Sequence, residues 1–265
     1  MPAPFPPAKK RLGQHFLIDR NIVRKIVAAA ELTPEATVLE IGPGRGILTD
    51  ALSRAARRVV AIEIDPDLHK QLEASRPDWT NVELICGDAL THPIETLPFG
   101  TIVVANLPYY LSTPLLFRLL EHRCRFPRLV LMLQEEVADR LVAKAGTKDY
   151  GILSVMTQYA TDVTRAFKVS AHCFRPQPKV GSAVVVLRPR TRSLLPPHEE
   201  AAFAAVVKAA FAHRRKTLVN SLRDEGYEAQ AAVEAVSAMK LLQAVRAETL
   251  TLEEFMELFC RIASR

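Results

Sequence analysis

Several kinds of feature are scarce in this chain of 265 residues. It holds four cysteines, Cys86, Cys124, Cys173 and Cys260, far apart and without a C-x-x-C pair. That spacing argues against a disulfide framework, and scattered reduced thiols fit a cytosolic protein. The seven histidines form no metal-ligand grouping, so no metal is expected. No apolar run approaches membrane-spanning length. The opening MPAPFPPAKKRLGQHF lacks the apolar core of a signal peptide, and its proline cluster reads as a loose tail. No internal repeat is present. Apolar residues, by contrast, make up 49% of the chain, enough for a sizeable core and against disorder. The net charge of +6 permits an anionic partner such as nucleic acid.

Between residues 37 and 135 the apolar runs TVLEIG, VVAIEID, VELICGD, TIVVANL and RLVLMLQ alternate with segments of helical spacing. Short, nearly continuous Val/Ile/Leu runs suit strands buried on both faces. Their alternation with helices predicts an α/β domain built on a parallel sheet. RAFKVS and AVVVLRPR read as two further strands at one sheet edge. The proline- and charge-rich RPRTRSLLPPHEE interrupts the pattern, and residues 198–265, with one glycine, are helical in pattern. This predicts a first domain over 1–190 and a helical domain over 191–265.

Three strand ends carry chemistry. EIGPGRG (Glu40 to Gly46) follows the first strand and opens a helix; its glycines allow a tight turn and close backbone approach by a ligand. Glu63 ends the second strand, where a carboxylate can take both hydroxyls of a ribose. Asp88 ends the third and can accept from an adenine amine. The GxGxG spacing departs from the GxGxxG of dinucleotide enzymes, and phosphate is not required. S-adenosylmethionine fits this set, with a dehydrogenase as the competing reading.

NLPYY (Asn106 to Tyr110) ends the fourth strand. The exocyclic amine of adenine is a poor nucleophile because its lone pair is delocalised into the ring. Two acceptors on its N–H groups favour a pyramidal nitrogen. The Asn106 side-chain oxygen can be one, and a backbone carbonyl near Leu107 and Pro108 the other. Tyr109 can pack on the base. Positioning and oriented dipoles then carry the rate.

The ordered motifs GQHFL, EIGPGRG, IEID, GDAL, NLPYY, KDYGILSVMTQY and FRPQPKVGSAV resemble those of the ribosomal RNA adenine dimethyltransferases. RRKTLVNSL (214–222) resembles their C-terminal domain, and the likeness is nearest to the bacterial small-subunit branch. The resemblance implies a Rossmann-like class I methyltransferase fold with a mostly parallel seven-stranded sheet. It implies S-adenosylmethionine as methyl donor and dimethylation of two adjacent adenosines in the 3′-terminal hairpin loop of small-subunit ribosomal RNA. The partner is then the immature small ribosomal subunit, met by a cytoplasmic monomer. Donor-binding positions carry over to His15, Leu17, Gly42, Glu63, Asp88 and Asn106. His15 stands where asparagine is common, and Tyr110 where many members have asparagine. Phe174 matches the base-stacking phenylalanine. Lys9, Lys10 and Arg11, with Arg214, Arg215 and Lys216, are candidate RNA contacts. Rival readings are a large-subunit adenine methyltransferase conferring antibiotic resistance and a ribosome-assembly factor that only binds RNA.

Overall fold

Helix and strand follow from the change of apolar period along the chain. In this computed structural model, which describes residues 5–109, 111–190 and 192–263, β1 (Phe16–Leu17) and α1 (Arg20–Ala30) come first. They are followed by β2 (Thr37–Ile41), α2 (Ile47–Ala55), β3 (Arg58–Glu63), α3 (Pro66–Ser75) and β4 (Val82–Cys86). Next come β5 (Ile102–Asn106), α4 (Ser112–Glu121), β6 (Leu129–Gln134) and α5 (Glu135–Val142). α6 (Ile152–Ala160) leads into β7 (Thr161–Val169), β8 (Phe174–Arg175) and β9 (Ser182–Pro189). Helices α7 (Glu200–Phe211), α8 (Leu218–Asp224), α9 (Ala229–Ala238) and α10 (Leu252–Ala263) close the order.

The chain divides into two compact units. Unit 1 joins Met1–Ala138 to Asp162–Pro189 and contains a seven-stranded sheet of order β4-β3-β2-β5-β6-β9-β7. The pairs β2–β3, β2–β5, β3–β4 and β5–β6 are parallel, and β9 runs antiparallel to β6. Successive residues on one strand, such as Val38 and Leu39 or Val103 and Val104, are both fully buried. Side chains alternate across a strand, so both faces of the sheet are covered. One face packs Val38, Val59, Val104, Val130 and Met132 against Ile22, Val23 and Ile26 of α1 and Leu48 and Leu52 of α2. Asp19 fixes the start of α1 by accepting from the Asn21 and Ile22 N–H groups. From β2 the chain moves outward to β3 and β4, then returns to place β5 on the other side. The carboxyl ends of β2 and β5 therefore flank a crevice at a topological switch point.

Unit 2 joins Asp139–Thr161 to Arg190–Arg265. The linker pattern alone suggests a single boundary at 190; the structure also assigns the α6 segment to this unit. Aromatic packing gives the reason. Tyr159 lies 4.8 Å from Phe203 and Tyr150 lies 6.2 Å from Phe211, between ring centroids. Phe255, Leu258 and Phe259 of α10 complete the core with Leu218, Leu222 and Val236. No helix among the described residues is long and apolar enough to cross a membrane.

Candidate active site

The loop after β2 needs its glycines. Gly42, Gly44 and Gly46 have φ of +72°, +60° and +79°, a region that L side chains rarely adopt. A Cβ on Gly46 would lie 2.7 Å from the Trp79 ring and 2.9 Å from Leu72. One on Gly42 would project toward the Asn106 carbonyl at 3.8 Å, so the ends of β2 and β5 approach closely.

Glu63 ends β3 with 3% of its surface exposed. Its Oε2 accepts from the Gly44 N–H and its Oε1 from the Asp65 N–H, both at 2.9 Å. A carboxylate offers about four lone-pair directions, so acceptor capacity remains for two hydroxyls. Burial raises the Glu63 pKa, opposed by those two backbone donors. Beside it, burial pushes Glu40 up to about 8, opposed by the Thr49 hydroxyl and helped by the charge on Glu63. Glu40 Oε2 has no hydrogen-bond partner among the described residues. Both carboxyl groups line one cavity with the glycine loop, His15, Leu17, Asn106, Leu107, Pro108, Tyr109 and Phe174.

Asn106 donates from Nδ2 toward the His15 carbonyl at 3.4 Å. Its Oδ1 is thereby left as the acceptor of that amide. The Leu107 N–H bonds to the Met132 carbonyl at 3.1 Å, which ties NLPY to β6. The Pro108 carbonyl accepts from the Leu111 N–H at 3.0 Å. The Tyr109 hydroxyl meets Ser182 Oγ at 2.9 Å, and burial raises its pKa. Tyr110 lies outside the described residues. Phe174 reaches the cavity wall but is only 1% exposed, and it packs in the core with Leu17, Ile22 and Met132. Strands β1 and β8 pair Leu17 with Phe174.

The other expected residues lie elsewhere. Asp88 follows β4, accepts from the Leu90 N–H at 2.9 Å and is not on the cavity wall. The proline cluster at the start reads as a loose tail; after it, side chains tie the segment down. Lys9 Nζ bridges Asp65 and Asp67 at 2.5 and 2.6 Å, and Gln14 Nε2 donates to Asp65 at 2.9 Å. Asp65 is buried and also accepts from the Asp67 N–H at 3.1 Å, so Lys9 and Gln14 add the charge partner and the further donor that a buried carboxylate needs. Lys10 and Arg11 are exposed. In unit 2, Arg214 donates to the Lys148 carbonyl at 3.0 Å, and Lys216 pairs with Asp224. Arg214 and Arg215 share a cleft with Lys148 and Arg246, two basic residues that the sequence reading passed over. It also passed over Gln14, Phe16 and Arg45 on the cavity wall. All three stand inside motifs that the sequence displays, Gln14 and Phe16 in GQHFL and Arg45 in EIGPGRG. Among the described residues no group of His, Cys, Asp or Glu could hold a metal ion.

A family model for ribosomal RNA adenine dimethylase matches residues 7–264. A "Ribosomal RNA small subunit methyltransferase A" of Moorella thermoacetica is 45% identical over 93% of this chain and 90% of its own length. The protein of that name from Geobacter metallireducens is 43% identical over 94% and 93%. A dimethyladenosine transferase from Plasmodium falciparum superposes with TM-score 0.83 at 28% identity, covering 94% of this chain and 98% of its own. The 23S rRNA methyltransferase ErmE superposes with TM-score 0.74 at 30% identity over 94% and 99%. The cavity at the switch point, walled by a glycine loop, the buried Glu63 and NLPY, is thus found in a chain that belongs to the ribosomal RNA adenine dimethylase family.

Proposed function

We propose that this enzyme transfers methyl groups from S-adenosylmethionine to the exocyclic amines of two adjacent adenosines in the 3′-terminal hairpin loop of small-subunit ribosomal RNA. Each adenosine receives two, on a maturing small subunit in the cytoplasm. The observation that carries this reading is the Asn106 amide. It stands beside the glycine loop with Nδ2 turned to the His15 carbonyl and Oδ1 left to accept.

The donor supplies a methyl carbon on a positively charged sulfur. Glu63 holds the ribose hydroxyls, Gly42 allows the close approach, and the unpartnered Oε2 of Glu40 suits the donor's ammonium group. His15 and Leu17 cover the donor, and Asp88 is assigned to its adenine. Asn106 Oδ1 and the Leu107 carbonyl accept from the two N–H groups of the target amine. That turns the nitrogen lone pair toward the methyl carbon. The N–C bond forms as the C–S bond breaks, S-adenosylhomocysteine departs and the amine proton passes to water. No general base is needed before transfer, because the sulfonium is neutralised as it leaves. Tyr109 and Phe174 are assigned to the extruded base; the Phe174 ring must uncover from the core to stack. Lys10 and Arg11, with Arg214 and Arg215, are assigned to RNA phosphates. Lys9 and Lys216 join them only by giving up their carboxylate partners.

The test is mass spectrometry of RNA from small and large subunits incubated separately with enzyme and labelled donor. Dimethyladenosine in the small-subunit hairpin supports the reading. Label in large-subunit RNA would replace it with the resistance-type activity. Tight subunit binding without any label would leave an assembly factor.

A further inference from the structure

Tyr109 is a half-buried ring on the cavity wall, and its orientation is fixed from two directions. Its hydroxyl lies 2.9 Å from Ser182 Oγ. Its ring lies 5.6 Å from the His15 ring, between centroids, at 30° between planes. His15 is itself tied down: Nδ1 lies 2.8 Å from the Pro176 carbonyl. A carbonyl only accepts, so His15 Nδ1 carries the proton there. Ser182 is 1% exposed and opens β9, where it pairs with Gln134 of β6. Its place is therefore set by the sheet ladder and not by the loop before it. A half-buried phenol needs a partner for its hydroxyl, and the sheet provides one at a fixed point.

We propose that Ser182 is a positioning residue for methyl transfer: through the Tyr109 hydroxyl it locks the ring that receives the target adenine, with the His15 ring as the second stop. This gives the FRPQPKVGSAV segment a second task besides carrying Phe174. It couples that segment to NLPY by one hydrogen bond across 73 positions of sequence. The inference rests on the adenine methyltransferase reading above. Without the bond, Tyr109 can rotate about its side-chain torsions, and the amine spends less time aligned with the methyl carbon.

The test uses the full chain, unmethylated small subunits and S-adenosylmethionine, with mono- and dimethyladenosine separated after single-turnover reaction. Ser182→Ala and Tyr109→Phe each remove one half of the bond. Each should slow transfer by about tenfold, with donor affinity by calorimetry changed by no more than about twofold. The double variant should be no slower than Tyr109→Phe alone, because both changes delete the same bond. Losses that multiply, or a Ser182→Ala enzyme with the wild-type rate, overturn the proposal. Where Ser182→Ala fails to fold, a wild-type rate for Tyr109→Phe overturns it equally. A wild-type chain inert on every ribosomal substrate would overturn the proposed function instead. The clamp is then still decided without substrate, by the Tyr109 ring-flip rate in NMR. Faster flipping in Ser182→Ala supports it, and unchanged flipping refutes it.

Discussion

A carboxyl group enclosed by protein is hard to ionise, and Glu40 is the sharpest case here. Its folded pKa, about 8, lies above its ordinary value of 4.5 because of burial. As pH rises, the unfolded chain loses this proton first. Stability of the donor-free protein should therefore fall between about pH 4.5 and 8, by at most roughly 1.4 kcal/mol per pH unit from this group. Glu40→Gln should flatten that fall, as read by urea unfolding at pH 5 and pH 8. Parallel pH profiles for variant and wild type would contradict the burial seen here. At Glu63 the expected effect is on the ligand. In the proposed donor site Glu63→Ala removes the acceptor assigned to two hydroxyls, and charged hydrogen bonds contribute roughly 1.5–3 kcal/mol, so donor affinity should drop at least about tenfold. Calorimetry on the folded variant reads this directly. Asn106→Ala should act on chemistry, slowing single-turnover transfer by about 10²–10³, the usual cost of one pre-organised polar group at a reacting centre. Subunit affinity, set mainly by phosphate contacts, should hold; a wild-type rate would remove Asn106 from the mechanism.

At the scale of elements, the strand ends of the parallel sheet do the placing. Each contributes one feature: the glycine loop after β2, Glu63 at the end of β3, Asn106 at the end of β5. The loop tolerates little change. Gly46→Ala would put a methyl group 2.7 Å from Trp79 at a φ of +79°. Strain of this kind costs roughly 1–3 kcal/mol, and relief by shifting Trp79 or Leu72 would move the loop. Lower melting temperature together with weaker donor binding is expected; a loss of neither would mean that the loop is slack. The arm before β1 is a second element whose role the fold decides. Lys9 binds Asp65 and Asp67 in the residues that follow β3, and Gln14 joins them. Lys9→Met should therefore loosen the wall of the donor cavity while leaving the salt dependence of subunit binding unchanged.

For the molecule as a whole, the excess of positive charge is modest and locally placed. Unit 2 brings Arg214 and Arg215 beside Lys148 and Arg246 in one cleft. Reversing Arg214 and Arg215 to Glu should weaken subunit binding and flatten its salt dependence, by about 0.7–0.9 in log–log slope for each phosphate that is no longer neutralised. Donor affinity should not change, because the donor cavity is lined by unit 1 alone. An unaltered slope would return this cluster to an ordinary solvated face.

Much of this was legible in the residues because the signals are local. A run such as TVLEI can bury two faces only as an inner strand, and GPGRG after it can hold its turn only with glycine. The order of motifs carries the family. NLPY and EIGPGRG sit at strand ends in the sequence as in the structure, since period and punctuation fix where a strand stops. Other outcomes depend on residues far apart in the chain. Nothing near Lys9 shows that its charge is spent on Asp65 and Asp67, and nothing near Ser182 shows that it meets Tyr109. The family resemblance assigns Phe174 to base stacking, yet its ring is buried in the core and its strand pairs with that of Leu17. The sequence by itself determined the elements and the chemistry at their ends, because backbone propensity and apolar period act over a few residues. Only the tertiary structure decided which charges remain free, which rings face the cavity and which hydroxyl holds Tyr109, because those are set by packing between segments that the chain brings together last.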